Sequence, residues 1–319
     1  MKKTKGKGLA VQNKKNFRER VRDAKSKGSF SVFFMMLPSV FLLCVVSVYP
    51  FLWLFKYVFY DYNGFKAYFT GLDNFKRVLN DSIYWDSVLH TFEYSILKLI
   101  IILPLSLIVA VLLSNKFKGS NFYRGVYFLP TVISAAVYSL IFYFIFASYN
   151  GVLNGILSTI GVIHRPIDWL GSSKTAMNSI VVVAVWGGFG NYMILFMSGL
   201  SSISEDVYES ARIDGANRLA IFFRITLPLL GPMLKVILML AITTALKDYE
   251  SILVLTGGGP NNRTQVMFSY IYTLCFGNDS MSTSIQIGYG AVLSIISALI
   301  IGIITVAYLR LSKKLDDMF

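Results

Sequence analysis

Six stretches of this chain, near residues 32 to 57, 93 to 114, 126 to 147, 179 to 199, 227 to 254 and 285 to 309, are predominantly apolar. Each reaches the roughly 20 residues that a helix needs to cross the hydrocarbon core of a bilayer. A chain of 319 residues that repeats such a run six times has little length left for a separate soluble domain, and a bilayer is its expected solvent. Composition agrees: 55% of residues are hydrophobic, 15% are charged and the mean hydropathy is +0.59, too apolar for an ordinary soluble domain. The fifth run is the weakest, because it contains Lys235 and ends in a charged cluster. Cys44 and Cys275 lie in or beside apolar runs without metal-ligand spacing, and read as packing residues with no disulfide framework.

The net charge of +13 is unevenly placed: 11 of the 30 basic residues fall in residues 1–28, ahead of the first apolar run. Such a tail fixes orientation on the cytoplasmic side and touches anionic lipid, a location that argues against nucleic acid as a partner. The run that follows it is too long for a signal peptide and shows no small-residue cleavage site, so the tail reads as retained. Counted with Lys116, Lys118, Arg124, Arg212, Arg218, Arg224, Arg310, Lys313 and Lys314, alternate loops hold 20 basic residues. The other loops hold only Lys66, Lys76, Arg77, Arg165, Lys174 and Arg263. This asymmetry predicts an all-α integral membrane protein of about six transmembrane helices with both termini in the cytoplasm.

The loop from 58 to 92 then lies outside and is rich in aromatic and acidic residues, which suits either an interfacial aromatic belt or a docking surface for an external partner. Lys98 and Lys235 read as snorkelling groups within reach of a span end. Lys247, Asp248 and Glu250 cluster in the fifth run. They read either as a polar lining for a solute path or as an ion-pair network that holds helices together.

The segment between the fourth and fifth runs is charged and helix-prone. Ser202 and Glu205 stand in capping-box register. At 100 degrees per residue Val207, Tyr208, Ala211 and Gly215 share one face, while Glu205, Glu209 and Arg212 share the other. Gly215 can end this helix with a positive φ, Asn217 can cap a second one, and Pro228 suits the first turn of the next span. A helix so short is not stable by propensity alone. Its faces need a groove on another protein, since the apolar face of this first short helix is small and carries no Trp, Phe or Leu anchor of the headgroup kind.

Here the sequence resembles the "EAA" loop of permease subunits of binding-protein-dependent ABC importers. The match is Glu209, Ser210 and Ala211, then Gly215, then Ile225, Thr226, Leu227 and Pro228, with Ser210 departing from the usual alanine. Further pieces, including "FLPTVIS" (128–134), "GVLNGIL" (151–157), "IDWLG" (167–171) and "LTGGGP" (255–260), resemble the carbohydrate branch of that family, and the likeness covers roughly residues 30–312. It implies a type I ABC importer permease fold in the bacterial cytoplasmic membrane. The transmembrane domain would span 29–312 with its coupling loop at 202–228, flanked by cytoplasmic tails at 1–28 and 313–319. The implied partners are a second homologous permease, two ATPase subunits that carry the ATP and Mg, an extracytoplasmic solute-binding protein and a carbohydrate. The chain itself would be non-catalytic and bind no cofactor or metal. In keeping with this, "GSSKT" at 171–175 lacks phosphate-loop spacing.

By the same resemblance Glu209, Ser210, Ala211, Asp214, Gly215 and Ala216 would engage the ATPase, and Gly188, Asn191, Tyr192, Thr244, Asp248, Tyr249 and Glu250 would line the substrate path. The positions that contact sugar in the maltose permease fall on Ala241, Thr244, Ala245 and Asp248. Most of these are too small or apolar to repeat those hydrogen bonds, which argues against maltose itself. Glycerol phosphodiesters, polyols and aminosugars remain alternative cargoes within the class. An ion-coupled secondary transporter leaves the 209–228 pattern unexplained. A membrane enzyme lacks the expected histidine or nucleophile motifs, since the histidines are only His90 and His164.

Overall fold

The computed structural model describes residues 31–114, 118–277 and 284–316. The basic tail 1–28, Lys116 and residues 317–319 of the C-terminal tail lie outside these. The chain divides into two compact units, Met1–Val58 and Phe59–Phe319.

Among the described residues the first unit holds one helix, α1 (Ser31–Tyr57), none of whose side chains is buried. Its middle opens into a π segment at Cys44–Val48, two residues before Pro50. Proline has no N–H and its ring crowds the carbonyl four residues back, so a wider turn just ahead of it relieves the clash without ending the helix.

The second unit begins with a hairpin, β1 (Tyr60–Tyr62) paired antiparallel with β2 (Ala67–Phe69), in the register Tyr60 opposite Phe69. There follow α2 (Asp73–Leu79), α3 (Ser82–Ser114), α4 (Ser120–Val132), α5 (Ala135–Ile145), α6 (Val152–Thr159) and α7 (Ala176–Ser201). The rest comprises α8 (Glu205–Ile213), α9 (Arg218–Leu229), α10 (Gly231–Lys247), α11 (Glu250–Leu255), α12 (Met267–Phe276) and α13 (Ile287–Asp316).

Four helices, α1, α3, α7 and α13, are each long and apolar enough to cross a bilayer, and the bent pairs α4–α5 and α9–α11 bring the number to six. The third and fifth runs are therefore broken rather than straight. α4 and α5 meet at 94° around Ile133 and Ser134, whose backbones are extended, and the fifth run turns by 71° at Leu230. This corrects the place expected for Pro228. It lies inside α9, following a second π segment at Phe222–Thr226, while Pro232 occupies the first turn of α10. The same device of a π segment two residues ahead of a proline thus occurs in α1 and in α9.

α7 is the central helix, with most of its length buried, and α3 and α4 lie along it. Small residues allow this approach, as expected where helices pack in lipid without a hydrophobic force between them. A Cβ at Gly190 would run into the Tyr127 carbonyl oxygen of α4, and one at Gly187 would run into the Tyr138 ring of α5. Ser106 of α3 closes the contact by donating to the Phe189 carbonyl at 2.9 Å. At one end of the bundle Asp81 caps α3 through the Tyr84 amide and accepts from Tyr270 at 3.0 Å and Tyr289 at 2.6 Å. Arg77 stacks on the Tyr289 ring at 3.8 Å and donates to Gln286. This cluster joins α2 and α3 to α12 and α13.

Filling the space at Gly187 tests this packing. Gly187→Val should lower stability by about 1–3 kcal/mol, the usual cost of overpacking. Part of that loss should return in the Gly187→Val, Tyr138→Ala double variant, read by thermal unfolding of the detergent-purified chain.

Candidate functional site

The charged segment after α7 folds as a helix, a turn and a helix. The expected capping box at Ser202 does not form, because Ser202 Oγ donates back to the Gly199 carbonyl at 2.7 Å and Ser202 still belongs to the end of α7. Ser204 caps α8 instead, its Oγ accepting from the Asp206 amide at 3.3 Å, with Glu205 and Asp206 in the first turn where the helix dipole favours acids. Gly215 ends α8 as expected, at φ 78°, and the Ala216 amide reaches back to the Ala211 carbonyl at 3.0 Å in a Schellman closure. Asn217 caps α9 by accepting from the Ala220 amide at 2.8 Å.

Of the residues named for this loop, Ala211 is buried and Ala216 half-buried, while Glu209, Ser210, Asp214 and Gly215 are exposed. Sequence reasoning overlooked one member. Ile213 stands 85% exposed next to the turn, and Leu219 and Phe223 of α9 are also exposed. The segment therefore presents apolar side chains beside its acids.

The second group of polar residues surrounds the break between α10 and α11. Asp248 leaves the helix with an extended backbone (ψ 129°), and its carboxylate accepts from Lys98 Nζ at 2.5 Å and from the Tyr94 hydroxyl at 2.6 Å. Side-chain exposures of 11% for Lys98 and 19% for Asp248 place the pair inside the protein. One expectation is corrected here. Lys98 does not snorkel, since it sits mid-way along the 33-residue α3 with no span end in reach. Two readings are open for Lys247, Asp248 and Glu250, and the ion pair that Asp248 makes is with Lys98 of α3 and not with Lys247. Lys235 lies early in α10, near a helix end as expected, and its carbonyl accepts from Tyr308 at 2.7 Å. Tyr94 and Lys98 are four apart on α3, a spacing that puts them on one face and was the available signal.

Tyr192 and Thr244 also meet, with 2.7 Å between their hydroxyl oxygens, which joins α7 to α10. Gly188 packs against α3, where a Cβ would stand 3.2 Å from Ile102 Cδ1, and Asn191 is exposed. Beyond the break, Tyr249 and Glu250 line an open cavity of about 430 Å³ together with Ala136, Leu253, Tyr272 and Thr273. The Tyr249 and Tyr272 rings are 5.8 Å apart and tilted by 35°, and Phe276 follows Tyr272 at 4.8 Å. The loop that leaves α11 is tied to α3 by a bidentate pair from Arg263 to Glu93 at 2.6 and 2.8 Å, and this hydrogen bonding raises the Arg263 pKa above its ordinary value. The Met267 amide, which donates to Thr91 Oγ1 at 2.9 Å, fixes the same loop.

Membrane-crossing helices around a broken, polar span, with a charged helix–turn–helix exposed at one end, define a multi-pass permease subunit. Residues 102–317 match the family described as binding-protein-dependent transport system inner membrane component, and the chain belongs to that family. The multiple sugar-binding transport system permease protein MsmF of Streptococcus mutans is 31% identical over 89% of this chain and 95% of its own length. The trehalose/maltose transport system permease protein MalF of Thermococcus litoralis is 35% identical over 78% of this chain and 81% of its own. Among solved structures, a chain of a bacterial ABC transporter involved in import of the acidic polysaccharide alginate superposes with a TM-score of 0.78. It covers 92% of this chain and 99% of its own at 23% identity, a likeness of fold.

Asp248→Ala should destabilise the chain by about 3–5 kcal/mol by leaving Lys98 buried and unpaired, whereas Lys98→Met with Asp248→Leu should recover most of that loss. Removing the half-exposed Arg263–Glu93 pair should cost about 1 kcal/mol or less. Melting temperatures in one detergent compare all three.

Proposed function

We propose that this chain forms one half of the pore of an ATP-driven importer that takes up a neutral sugar or oligosaccharide delivered by an external solute-binding protein. The other half is a second, similar permease, and two ATPase subunits carry the ATP and Mg. The chain is non-catalytic and binds no cofactor of its own. Its transmembrane domain is residues 29–312, and both termini and the loop 202–228 face the cytoplasm.

The observation that carries this reading is α8 with its Gly215 turn: a capped, rigid, exposed helix with Ile213 uncovered beside Glu209, too short to be stable unless another protein covers it. Glu209, Ser210, Ala211, Asp214, Gly215 and Ala216 form the contact with the ATPase. A rigid helix held in a cleft that opens and closes moves the spans attached to it, so one site biases the state of the other through differential contacts.

Sugar as the cargo is supported by the relatives named for multiple sugars and for trehalose and maltose. It is supported again by the cavity beside α11, where tyrosine faces and the Glu250 carboxylate suit hydroxyl-rich rings. Among the described residues that line this cavity there is no lysine or arginine, which favours a neutral sugar or an aminosugar over a glycerol phosphodiester. Tyr192, Thr244, Asp248, Tyr249 and Glu250, with Gly188 and Asn191 on α7, form the path.

Purification of the tagged chain from its native membrane in mild detergent tests the assembly. An ATPase and a second permease should co-purify with wild type, and the ATPase alone should be lost from the Glu209→Lys, Gly215→Pro variant; a chain that purifies alone in both cases overturns the reading. In vesicles holding the whole complex, Tyr249→Ala should abolish sugar uptake while assembly and basal ATP hydrolysis persist. Unchanged uptake would remove Tyr249 from the path.

A further inference from the structure

Helix α6 presents an apolar stripe that no described part of the chain covers. Val152, Ile156 and Ile160, at four-residue spacing, are each more than half exposed, as is Val162 just beyond. On the opposite side Asn154 fixes the direction of this stripe. Its Nδ2 donates to the carbonyls of Ile167 at 2.9 Å, Ser148 at 3.3 Å and Ala147 at 3.4 Å, and its Oδ1 accepts from the Ile167 amide and Trp169 Nε1 at 3.2 and 3.0 Å. With Asn154 buried, the helix cannot roll to hide its outer face.

Two observations identify what covers it. The stripe continues an exposed apolar surface of a membrane-crossing pair: α5 exposes Val137, Leu140, Ile141 and Phe144 at helical spacing, and the chain passes from there through the exposed Tyr149 into α6. Beyond the helix, the exposed side chains of His164, Arg165 and Lys174 share the loop with one acid, Asp168, whose Oδ1 is engaged by the Gly171 amide at 2.9 Å. An apolar face bordered by basic side chains is the pattern of a helix lying in the plane of the membrane interface.

We propose that α6 and the turn after it rest on the bilayer itself, with Val152, Ile156 and Ile160 beneath the headgroups and Arg165 and Lys174 paired with lipid phosphates. The contact sets the depth of the loop 148–175 at its end of the bundle. It does not depend on the identity of the cargo.

Spin labelling of the intact complex tests this. With Cys44 and Cys275 changed to alanine, single labels at Ile156→Cys and at Ser158→Cys are read by power saturation in vesicles of phosphatidylethanolamine and phosphatidylglycerol. Residue 156 should collide with oxygen severalfold more than with a water-soluble nickel chelate, while residue 158 should show the reverse. Adding Arg165→Glu and Lys174→Glu should shift residue 156 towards the nickel chelate. Equal access of the chelate to both positions places the stripe in water and overturns the proposal. A label at 156 that meets neither reagent also overturns it, since a protein neighbour then covers the stripe.

Discussion

In hydrocarbon a backbone N–H or C=O has no water to turn to, so each must find a partner within the protein. That requirement makes the chain helical and also makes every departure from a helix informative. The two π segments keep the backbone helical ahead of Pro50 and Pro228, so each helix runs on through its proline. At Ile133–Ser134 and at Asp248–Tyr249 the helix does stop. Asp248 stands against Lys98 and the buried Tyr94 side chain, where protein can satisfy an irregular backbone, whereas Ser134 is exposed.

The Lys98–Asp248 pair illustrates how a charge is kept in such a setting. The lysine neutralises the carboxylate, and Tyr94 supplies a second hydrogen bond to it. Removing either charge leaves the other uncompensated, which costs more than the pair ever contributes. The same pair joins α3 to the residue where α10 ends, so the position of the break is set by a side chain 150 residues away in sequence.

How much of this is readable without coordinates depends on how local the cause is. Span number follows from hydropathy, and Gly215 and Asn217 follow from turn and cap chemistry within a few residues. Ser204 rather than Ser202 caps α8 because α7 runs on to Ser201, and where a helix stops is decided by its packing, here Gly199 against Leu230 and Met233. Lys98 is ambiguous for a related reason: a lysine in an apolar run looks the same in sequence whether it reaches an interface or a carboxylate on another helix. The aromatic row Tyr249–Tyr272–Phe276 joins the break before α11 to α12: the four-residue spacing of Tyr272 and Phe276 shows their shared face in the sequence, but nothing there shows that Tyr249 meets it.

Five hydrogen bonds, with Ala147, Ser148, Ile167 and Trp169, converge on the single side-chain amide of Asn154 and limit how this chain can vary. Aspartate would set a second acceptor against three carbonyls, glutamine would reach too far, and serine would lose most of the donors. The loop 148–175 therefore has a single point of failure, and its neighbours are free to change only while that one amide is not.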